Sequence, residues 1–326
     1  MKVLVTGGSG FIGTNYIELL LRDGKNELIN LDSKPPRNIA HKKFWNECDI
    51  LDAYRLKKII RDFSPTYIVH LAAKTGVDEK RLNAFAANME GVENLLSAFK
   101  EVSSVERVIF TSSLLVCKMG YVPKHDTDYQ PSTAYGLSKV KGEQIVRAQK
   151  DLPYAWTIIR PISVWGPWFN EPYKNFFKAI AQGWYFHIGS GHYKRSLGYV
   201  ENIVYEIHQL LLAPMGKIDK KIFYIGDEPP VDLYEFANEV REGLGTRKIR
   251  HVPLWIAKSS AKTGDFLKLL GWRGVPLTSF RLNNILTEYV FDLQPIIEIA
   301  APLPYDLKTG IRRTIQWMRE VGEFKI

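Results

Sequence analysis

Tyr135 and Lys139 are the residues whose types and spacing in this chain best suit proton transfer. They lie four residues apart in the segment YGLSK, so on a helix both side chains face the same way. A phenol has a pKa near 10, about 3 units above neutral pH, and a neighbouring ammonium group stabilises the phenolate. The apolar segment upstream, VIFTSS, ends in Ser112 and Ser113, and a serine at that strand end could hydrogen-bond an oxygen that is being oxidised or reduced. Tyr135, Lys139 and a serine at this strand end are therefore the candidate catalytic set.

A glycine-rich turn near the N-terminus predicts a dinucleotide as the partner of that chemistry. Residues 3–13 read VLVTGGSGFIG, an apolar strand that runs through a turn into a helix beginning at Phe11. Glycines let a pyrophosphate approach the backbone, and the first N–H groups of a helix favour its negative charge. Asp32 closes a second apolar strand 19 residues after Gly13, where an acid hydrogen-bonds the adenosine ribose. The glycines of the turn are Gly7, Gly8, Gly10 and Gly13.

A parallel sheet is needed to bring these residues together. Apolar strand candidates lie at 2–6, 28–32, 67–72, 107–112 and 156–161. Between them lie amphipathic stretches near 11–23, 53–63, 84–103 and 134–150. This alternation predicts an α/β fold, a doubly wound parallel sheet of the Rossmann type with ligands at the carboxyl ends of its strands.

The composition of the chain changes after about residue 165, where aromatic residues, glycines and prolines become frequent. We expect residues 1–164 to form the dinucleotide-binding domain, with 196–222 returning to it. Residues 165–195 and 223–326 are expected to form a smaller, interleaved substrate-binding domain.

Length and composition are those of an ordinary globular protein. The 326 residues are 45% hydrophobic, and no apolar run approaches the roughly 20 residues that span a bilayer. The N-terminus enters a strand without a signal-peptide pattern, and Cys48 and Cys117 show no metal-ligand or disulfide spacing. We therefore expect a cytoplasmic protein without a metal and without membrane insertion.

The formal net charge of +9 is spread along the chain in short pieces. The piece at 55–61 interleaves its charges with apolar residues at helical spacing, which is typical of a solvated helix face. We expect no nucleic-acid partner. A basic attraction for a phosphorylated substrate, or weak association with a surface, is the alternative.

Together these residues resemble the extended short-chain dehydrogenase/reductase family, in its NAD-dependent epimerase/dehydratase branch that acts on nucleotide sugars. The resemblance extends over nearly the whole chain. It rests on motifs in the family's order, namely TGGSGFIG (6–13), Asp32, Asp49-Ile50, HLAA (70–73), Asn88 with Gly91 and Asn94, TSS (111–113), YGLSK (135–139), RPISVWGP (160–167), the segment from Arg195 to Asn202, and the tail from Tyr305 to Trp317.

The resemblance implies a role for each matching position. Tyr135 would be the acid/base, Lys139 its partner and a ribose ligand, and Ser113 the hydrogen-bond partner of the reacting hydroxyl. The implied cofactor is NAD, and its binding residues would be Gly7, Gly10, Phe11, Ile12, Gly13, Asp32, Asp49, Ile50, Leu71, Ala72, Ala73, Asn88, Thr111, Tyr135, Lys139 and Pro161. The substrate, a nucleotide-diphosphate sugar, would contact Ser113, Ser163 and Arg195, the last through its planar donor fork. The resemblance also implies a homodimer through helices near 88–103 and 134–150.

Several of these positions have a purely structural alternative. Asn88 could tie down a helix start, and Arg195 could form a surface salt bridge. His70, inside an apolar strand, fits a core histidine better than a catalyst. A group of aromatics could be core, or one of them could stack on a nucleotide base: Trp165, Trp168, Phe169 and Tyr173.

Leu114 and Leu115 are the departures from the family pattern that bear most on the reaction. Related 4,6-dehydratases carry an Asp-Glu pair at this point and decarboxylases a glutamate, whereas leucines transfer no protons. Dehydration and decarboxylation are therefore not expected. The reactions that need only a hydride and one proton are those of an NAD-dependent 4-epimerase or an NAD(P)H-dependent keto-sugar reductase. Asp32 favours NAD over NADP, although Lys34 and Arg37 lie close enough to soften that preference. A hydroxysteroid-type dehydrogenase and a non-catalytic NAD-binding protein are more distant alternatives.

Overall fold

The computed structural model describes residues 1–22, 24–150, 152–272, 275 and 277–324. The strands are β1 Lys2–Thr6, β2 Glu27–Asp32, β3 Trp45–Glu47, β4 Tyr67–His70, β5 Arg107–Thr111, β6 Ala155–Pro161, β7 Ser163–Trp165, β8 Phe186–Ile188, β9 Lys194–Arg195, β10 Leu197–Tyr199, β11 Lys221–Ile225, β12 Val231–Asp232 and β13 Arg250–Val252. The helices are α1 Phe11–Arg22, α2 Ala53–Phe63, α3 Glu90–Phe99, α4 Ala134–Arg147, α5 Tyr173–Ala181, α6 Val200–Leu212, α7 Met215–Ile218, α8 Leu233–Leu244, α9 Leu254–Leu269, α10 Ser279–Leu286, α11 Gln294–Ala300 and α12 Leu307–Glu320. Short 3-10 helices cover Ile39–Phe44, Leu82–Asn88 and Leu114–Val116.

Seven strands pair in parallel in the order β11–β6–β5–β4–β1–β2–β3. The interior strand β1 contains a continuous apolar run, Val3-Leu4-Val5, and all three side chains are fully buried. Such a run is typical of a parallel strand that is covered on both faces. Chain order reverses between β1 and β4, which is the switch point where doubly wound sheets bind ligands. The predicted fold is confirmed.

The chain divides into two compact units. The first contains the seven-stranded sheet and consists of Met1–Phe169, Leu197–Glu228 and Phe291–Asp306. The second consists of Asn170–Ser196, Pro229–Val290 and Leu307–Ile326. Among the described helices, none combines the length and apolar character needed to cross a membrane.

Three segments expected in the substrate-binding domain lie in the first unit instead, namely 165–169, 223–228 and 291–306. β11 is an outer strand of the sheet, where it pairs with β6 and buries Ile225 completely. This pairing supplies hydrogen-bond partners for the N–H and C=O groups on the outer side of β6. Without β11, β6 would be the edge strand of the sheet. Residues 291–306 return as well, because α11 packs against α6 and buries Ile296. Trp165 likewise packs against Tyr199 of the first unit. All three differences come from long-range packing, which local sequence patterns do not encode.

The helix predicted over 84–103 is interrupted. The 3-10 helix Leu82–Asn88 leads to Met89, whose φ of −123° and ψ of −75° are not helical, and α3 begins after it. The side chain of Asn88 hydrogen-bonds the backbone of Lys74, which anchors the chain at this junction. The interruption therefore fixes a buried asparagine next to the sheet.

The second unit has little sheet. β9 pairs antiparallel with β12, and β8 pairs in parallel with β13. Asp232 caps the start of α8, because its Oδ1 accepts a hydrogen bond from Tyr234 N at 2.8 Å. Gly245, with a φ of 68°, caps the other end. α8 packs against α5 and α12, and its Phe236 ring stacks on Phe176 with the ring centroids 5.3 Å apart.

Candidate active site

The glycine turn between β1 and α1 has no room for side chains. A Cβ atom at Gly7 would lie 2.5 Å from the nitrogen of Ala72, and one at Gly13 would lie 2.3 Å from the oxygen of Gly7. Gly7 also has a φ of 73°, in the left-handed region that glycine tolerates. Gly10 N donates to Gly7 O at 3.0 Å and closes the turn. The resulting cradle in front of the α1 N-terminus fits a pyrophosphate.

Asp32 lies at the carboxyl end of β2, beside this turn. Its Oδ2 accepts a hydrogen bond from Ser9 N at 3.1 Å, and its Oδ1 accepts one from Lys34 N at 2.9 Å. Burial raises the pKa of Asp32, and these two backbone hydrogen bonds oppose that shift. The carboxylate is therefore held in one orientation at the position that the sequence predicts for a ribose-binding acid.

The segment after β4 forms the neighbouring wall. Leu71 N donates to Thr6 O at 3.0 Å, and Ala72 N lies 3.3 Å from Thr6 Oγ1. These contacts keep Leu71, Ala72 and Ala73 half-buried beside the glycine turn. The structure thus brings the glycines, Asp32 and this segment to the same edge of the sheet.

Asn88 ties the following loop to α4. Its Oδ1 accepts from Lys74 N at 2.9 Å, and its Nδ2 donates to Lys74 O at 3.0 Å and to Ser138 Oγ at 2.8 Å. Ser138 Oγ in turn donates to Tyr135 O at 2.6 Å. Both amide hydrogens of Asn88 are used within the chain, so these contacts orient the first turn of α4. A cofactor contact for Asn88 stays a prediction.

Tyr135 lies in that first turn, where Thr133 Oγ1 caps α4 by accepting from Gly136 N at 3.0 Å. Its side chain is 9% exposed and packs against Phe85, with the ring centroids 6.0 Å apart. Burial raises the pKa of the Tyr135 phenol, while a hydrogen bond with the Ser113 side chain lowers it. The structure therefore brings together Ser113, from the end of β5, and Tyr135, from α4.

Lys139 lies one turn after Tyr135 and is buried. Its Nζ donates to Thr111 O at 2.9 Å, at the end of β5. Burial lowers the pKa of Lys139 to about 8, and the negative charge of Glu143 opposes that shift. An ammonium with this pKa is charged at neutral pH, so α4 places a positive charge at the carboxyl edge of the sheet.

A cavity of about 20 Å³ lies beside Lys139, among polar side chains that include His70, Thr111 and Ser112. His70 is fully enclosed, and its Nδ1 lies 2.7 Å from Thr6 Oγ1. Burial and the charge of Lys139 lower the pKa of His70 to about 3, so this histidine is neutral and serves as a core side chain. The hydroxyls of Thr111 and Ser112 are buried, with no hydrogen-bond partner among the described residues.

Arg160 and Glu143 form a buried ion pair that the sequence analysis missed as a functional feature. Arg160 Nε and Nη2 donate to the two carboxylate oxygens of Glu143 at 2.8 and 2.7 Å, and both side chains are 1% exposed. The Tyr129 hydroxyl donates to the same carboxylate at 2.8 Å. The pair joins β6 to α4 one turn beyond Lys139, and so fixes the rotation of the helix that carries Tyr135. The available signal was Glu143 itself, four residues after Lys139 on the same helical face.

Leu114 and Leu115 form the 3-10 helix that follows Ser113. The carbonyl oxygen of Leu115 lies against α4 so closely that a Cβ at Gly136 would be 2.2 Å from it. Neither side chain can transfer a proton, so the position next to Ser113 carries no second acid or base.

The remaining predicted cofactor positions differ in their surroundings. Asp49 is exposed, and its Oδ1 accepts from Leu51 N at 3.0 Å. Ile50 is 5% exposed and packs so tightly on Gly91 that a Cβ there would lie 2.6 Å from it. Phe11 and Ile12 are half-buried at the start of α1, and Pro161 ends β6. Their contacts with NAD stay predictions.

Arg195 ends β9 in the second unit, and its side chain contacts the end of α10. Its Nη2 donates to the carbonyl oxygens of Asn284, Ile285 and Thr287, the last two at 3.0 and 3.2 Å. Its guanidinium lies 5.0 Å from the centre of the Tyr289 ring. The Nε is buried and has no hydrogen-bond partner within the described parts of the chain. A phosphate contact for Arg195, and a substrate contact for Ser163 at the start of β7, stay predictions.

The aromatic residues near 165–173 are mostly packed. Trp165 is fully buried, and its ring centroid lies 5.1 Å from that of Tyr199. Phe169 is 2% exposed, and Trp168 Nε1 donates to Glu18 Oε1 at 3.1 Å. The burial of Trp165 and Phe169 favours the core alternative for these two residues.

Comparisons with known proteins identify the family to which this chain is similar. The NAD dependent epimerase/dehydratase family matches residues 3–226. The N-acetyl-alpha-D-glucosaminyl-diphospho-ditrans,octacis-undecaprenol 4-epimerase of Escherichia coli O157:H7 is 26% identical over 322 residues, covering 97% of this chain and 95% of that protein. A 3 beta-hydroxysteroid dehydrogenase/Delta 5-->4-isomerase of Mycobacterium tuberculosis is 31% identical over 267 residues, which cover 76% of this chain and 70% of that protein.

Among solved structures, the UDP-glucuronic acid 4-epimerase of Bacillus cereus, in complex with NAD, has the same fold. It superimposes with a TM-score of 0.75 at 19% identity, covering 98% of this chain and 99% of that chain. The family match spans the glycine turn, Asp32, Ser113, Tyr135 and Lys139. On this evidence the chain belongs to the NAD dependent epimerase/dehydratase family.

Proposed function

We propose that the protein is an NAD-dependent 4-epimerase of a sugar carried on a diphosphate, with nucleotide sugars as its substrate class. The observation that carries the proposal is the content of the site beside α4. Ser113, Tyr135 and Lys139 supply one acid/base and its supporting groups, and Leu114 and Leu115 add no second one. Such a site supports a reaction that needs a hydride and a single proton.

Each side chain has one task in this reaction. NAD, when bound, would supply the hydride acceptor for C4 of the sugar and the hydride donor for the keto sugar after that sugar has rotated in the site. Tyr135 takes the proton of the C4 hydroxyl and gives it back in the return step. Ser113 hydrogen-bonds the reacting oxygen and orients it toward Tyr135. Lys139 supplies a positive charge that favours the phenolate.

The charge of Lys139 matters because burial of Tyr135 disfavours its phenolate form. Burial raises the pKa of Tyr135, so the phenol is neutral at neutral pH in the protein alone. Positive charge brought close to the ring lowers that pKa again. We infer that proton removal by Tyr135 depends both on Lys139 and on the oxidised cofactor.

The substrate class rests on the relatives together with a residue of the second unit. The relative from Escherichia coli and the structural neighbour from Bacillus cereus are both named as 4-epimerases, of a diphosphate-linked and a UDP-linked sugar. We assign the diphosphate to Arg195, whose buried Nε has no hydrogen-bond partner in the described chain. In this assignment the second unit supplies substrate-binding residues, and the expected homodimer stays a prediction.

The test is incubation of the protein with a panel of nucleotide sugars and substoichiometric NAD⁺, followed by ion-pair chromatography. We expect one sugar to give an isomeric product that reaches equilibrium without net formation of NADH. Stoichiometric oxidation of NADH or NADPH by a 4-keto sugar nucleotide, with no isomer from any sugar, would assign a reductase. NADH formation from a 3β-hydroxysteroid, again without isomer, would assign a steroid dehydrogenase. Either of these two results overturns the proposal.

A further inference from the structure

The helix α9 in the second unit buries its small side chains and exposes its large ones. Its inward stripe is Ala257, Ala261 and Gly264, and all three are buried. A Cβ at Gly264 would lie 1.9 Å from Leu277 O, so the helix backbone approaches the neighbouring chain as closely as glycine allows. An ordinary surface helix does the reverse and turns its large apolar side chains inward.

The outward stripe of α9 carries those large side chains. Trp255, Phe266 and Leu269 follow each other at spacings of eleven and three residues, so they lie on one helical face, opposite the buried stripe. They are 70%, 60% and 85% exposed. Leu270 and Trp272, which follow the helix, are 63% and 65% exposed.

The start of α10 extends this surface and is joined to α9 by a hydrogen bond and a shared core. Ser279 N donates to Asp265 Oδ1 at 3.1 Å, which fixes the beginning of α10 beside the end of α9. Leu282 is buried in the same small core as Ala257 and Ala261. Phe280 is 75% exposed. We call the exposed set the α9 face: Trp255, Phe266, Leu269, Leu270, Trp272 and Phe280.

The chain around the α9 face is strongly basic. Residues 247–273 contain seven lysines and arginines and a single acid, Asp265. The carboxylate of that acid is already bound to the backbone of Ser279. Lys258, Lys262 and Lys268 are exposed on α9 itself, and Lys262 lies on the outward face between Trp255 and Phe266. The apolar side chains therefore stand among positive charges.

We propose that the α9 face binds the surface of a bilayer that contains anionic phospholipids. Tryptophan and phenylalanine enter the boundary between headgroups and acyl chains, while lysines beside them extend to the phosphates. The helix lies in the plane of the interface and does not span the bilayer. A lysine in the middle of the face also argues against a protein partner, because lysine is depleted from the centres of protein interfaces. The proposal is independent of the reaction at Tyr135.

The experiment is flotation of the protein with vesicles of phosphatidylcholine, or of phosphatidylcholine mixed equally with phosphatidylglycerol. We expect the wild type to float with the mixed vesicles and not with phosphatidylcholine alone, and to be released by high salt. Trp255→Ser combined with Phe266→Ser should reduce flotation at least about tenfold, as expected when buried apolar area is lost. Lys258→Glu combined with Lys262→Glu should remove the preference for the anionic lipid.

The matched control is Ile39→Ser combined with Tyr54→Ser. These side chains are 76% and 83% exposed, and both lie in the first unit. This control should float like the wild type, and unchanged NAD affinity in all variants would show that they fold. No flotation of the wild type, or equal flotation of the Trp255→Ser/Phe266→Ser variant, overturns the proposal. Vesicle-free self-association that this variant loses would assign the α9 face to a second copy of the chain instead, and likewise overturn it.

Discussion

The most buried tryptophans of the chain lie in the first unit, and the most exposed ones lie in the second. In the first unit Trp156 and Trp165 are 4% and 0% exposed. In the second unit Trp184, Trp255 and Trp272 are 74%, 70% and 65% exposed. The first unit uses its large side chains to build a rigid frame for a cofactor. The second unit leaves large side chains exposed on the α9 face, which the proposed bilayer contact would cover.

The largest effect that tests this comparison is expected at Tyr135. Tyr135→Phe should lower kcat by about 10³-fold or more, because general acid/base catalysis contributes up to about 10⁴-fold. NAD affinity and vesicle flotation should stay unchanged, since the change leaves packing and the second unit intact. Tyr154→Phe is the matched control. The hydroxyl of Tyr154 is buried, and it has no hydrogen-bond partner among the described residues, so its removal should not affect the reaction. Near-normal activity of Tyr135→Phe would remove Tyr135 from the mechanism.

The next effect concerns the cost in folding stability of burying the charged Lys139 ammonium in the first unit. The pKa of Lys139 is lowered from 10.5 to about 8, which corresponds to roughly 3 kcal/mol. The hydrogen bond from Lys139 Nζ to Thr111 O offsets about 1 kcal/mol of this destabilisation. Lys139→Met should therefore abolish turnover while raising the free energy of unfolding at pH 7 by roughly 2 kcal/mol, measured by urea titration. The exposed Lys141→Met on the same helix should change neither quantity, and a destabilised Lys139→Met would contradict this reading.

A smaller effect is expected for the choice of cofactor. Asp32→Ala should weaken NAD binding by about tenfold or more, because a hydrogen bond to a charged group contributes about 1.5–3 kcal/mol. Binding of NADP should fall much less, since the wild-type carboxylate repels its 2′-phosphate. Isothermal titration with both cofactors measures the difference, with the exposed Asp62→Ala as control. Equal losses for the two cofactors would mean that Asp32 does not contact the ribose.

The smallest effect is a pH dependence of stability within the first unit. Burial and the charge of Asp227 raise the pKa of the fully buried Glu206, and burial raises that of Asp227 to about 7. Both groups are protonated in the fold at pH values where the unfolded chain has lost the proton, so stability falls as pH rises above about 4. Glu206→Gln removes one of these groups, and its unfolding free energy should fall less steeply by about 1 kcal/mol per pH unit.

Urea titrations between pH 5 and 7 measure that slope. Glu298→Gln, an exposed change on α11, is the control and should keep the wild-type slope. An unchanged slope in Glu206→Gln would show that Glu206 is ionised in the folded protein.

Local signals explain why much of the first unit was predictable. A glycine turn such as Gly7 to Gly13, an acid at the end of a strand and a run such as Val3-Leu4-Val5 each specify their own backbone. The positions after the strands then converge because parallel strands end at one edge. Asp32, the segment after β4 and Ser113 with Tyr135 were brought together in this way.

The features that escaped prediction depend on distant partners. β11 joins the sheet only because β6 offers an unpaired edge, and Glu143 is informative only once Arg160 is known to face it. In α9, the large side chains at Trp255 and Phe266 would by pattern alone be taken as the buried face. The structure buries Ala257 and Ala261 instead, because the backbone approaches Leu277 too closely for larger residues.

The central claim, that hydride leaves and returns to the same carbon in the first unit's site, is tested most directly with a substrate carrying deuterium at C4. The measurement is mass spectrometry of both isomers after incubation with substoichiometric NAD⁺. We predict that the epimerised sugar keeps its deuterium at C4, because the hydride never exchanges with water. Loss of the label to solvent in the product would contradict the account, since it would show epimerisation through proton removal from carbon.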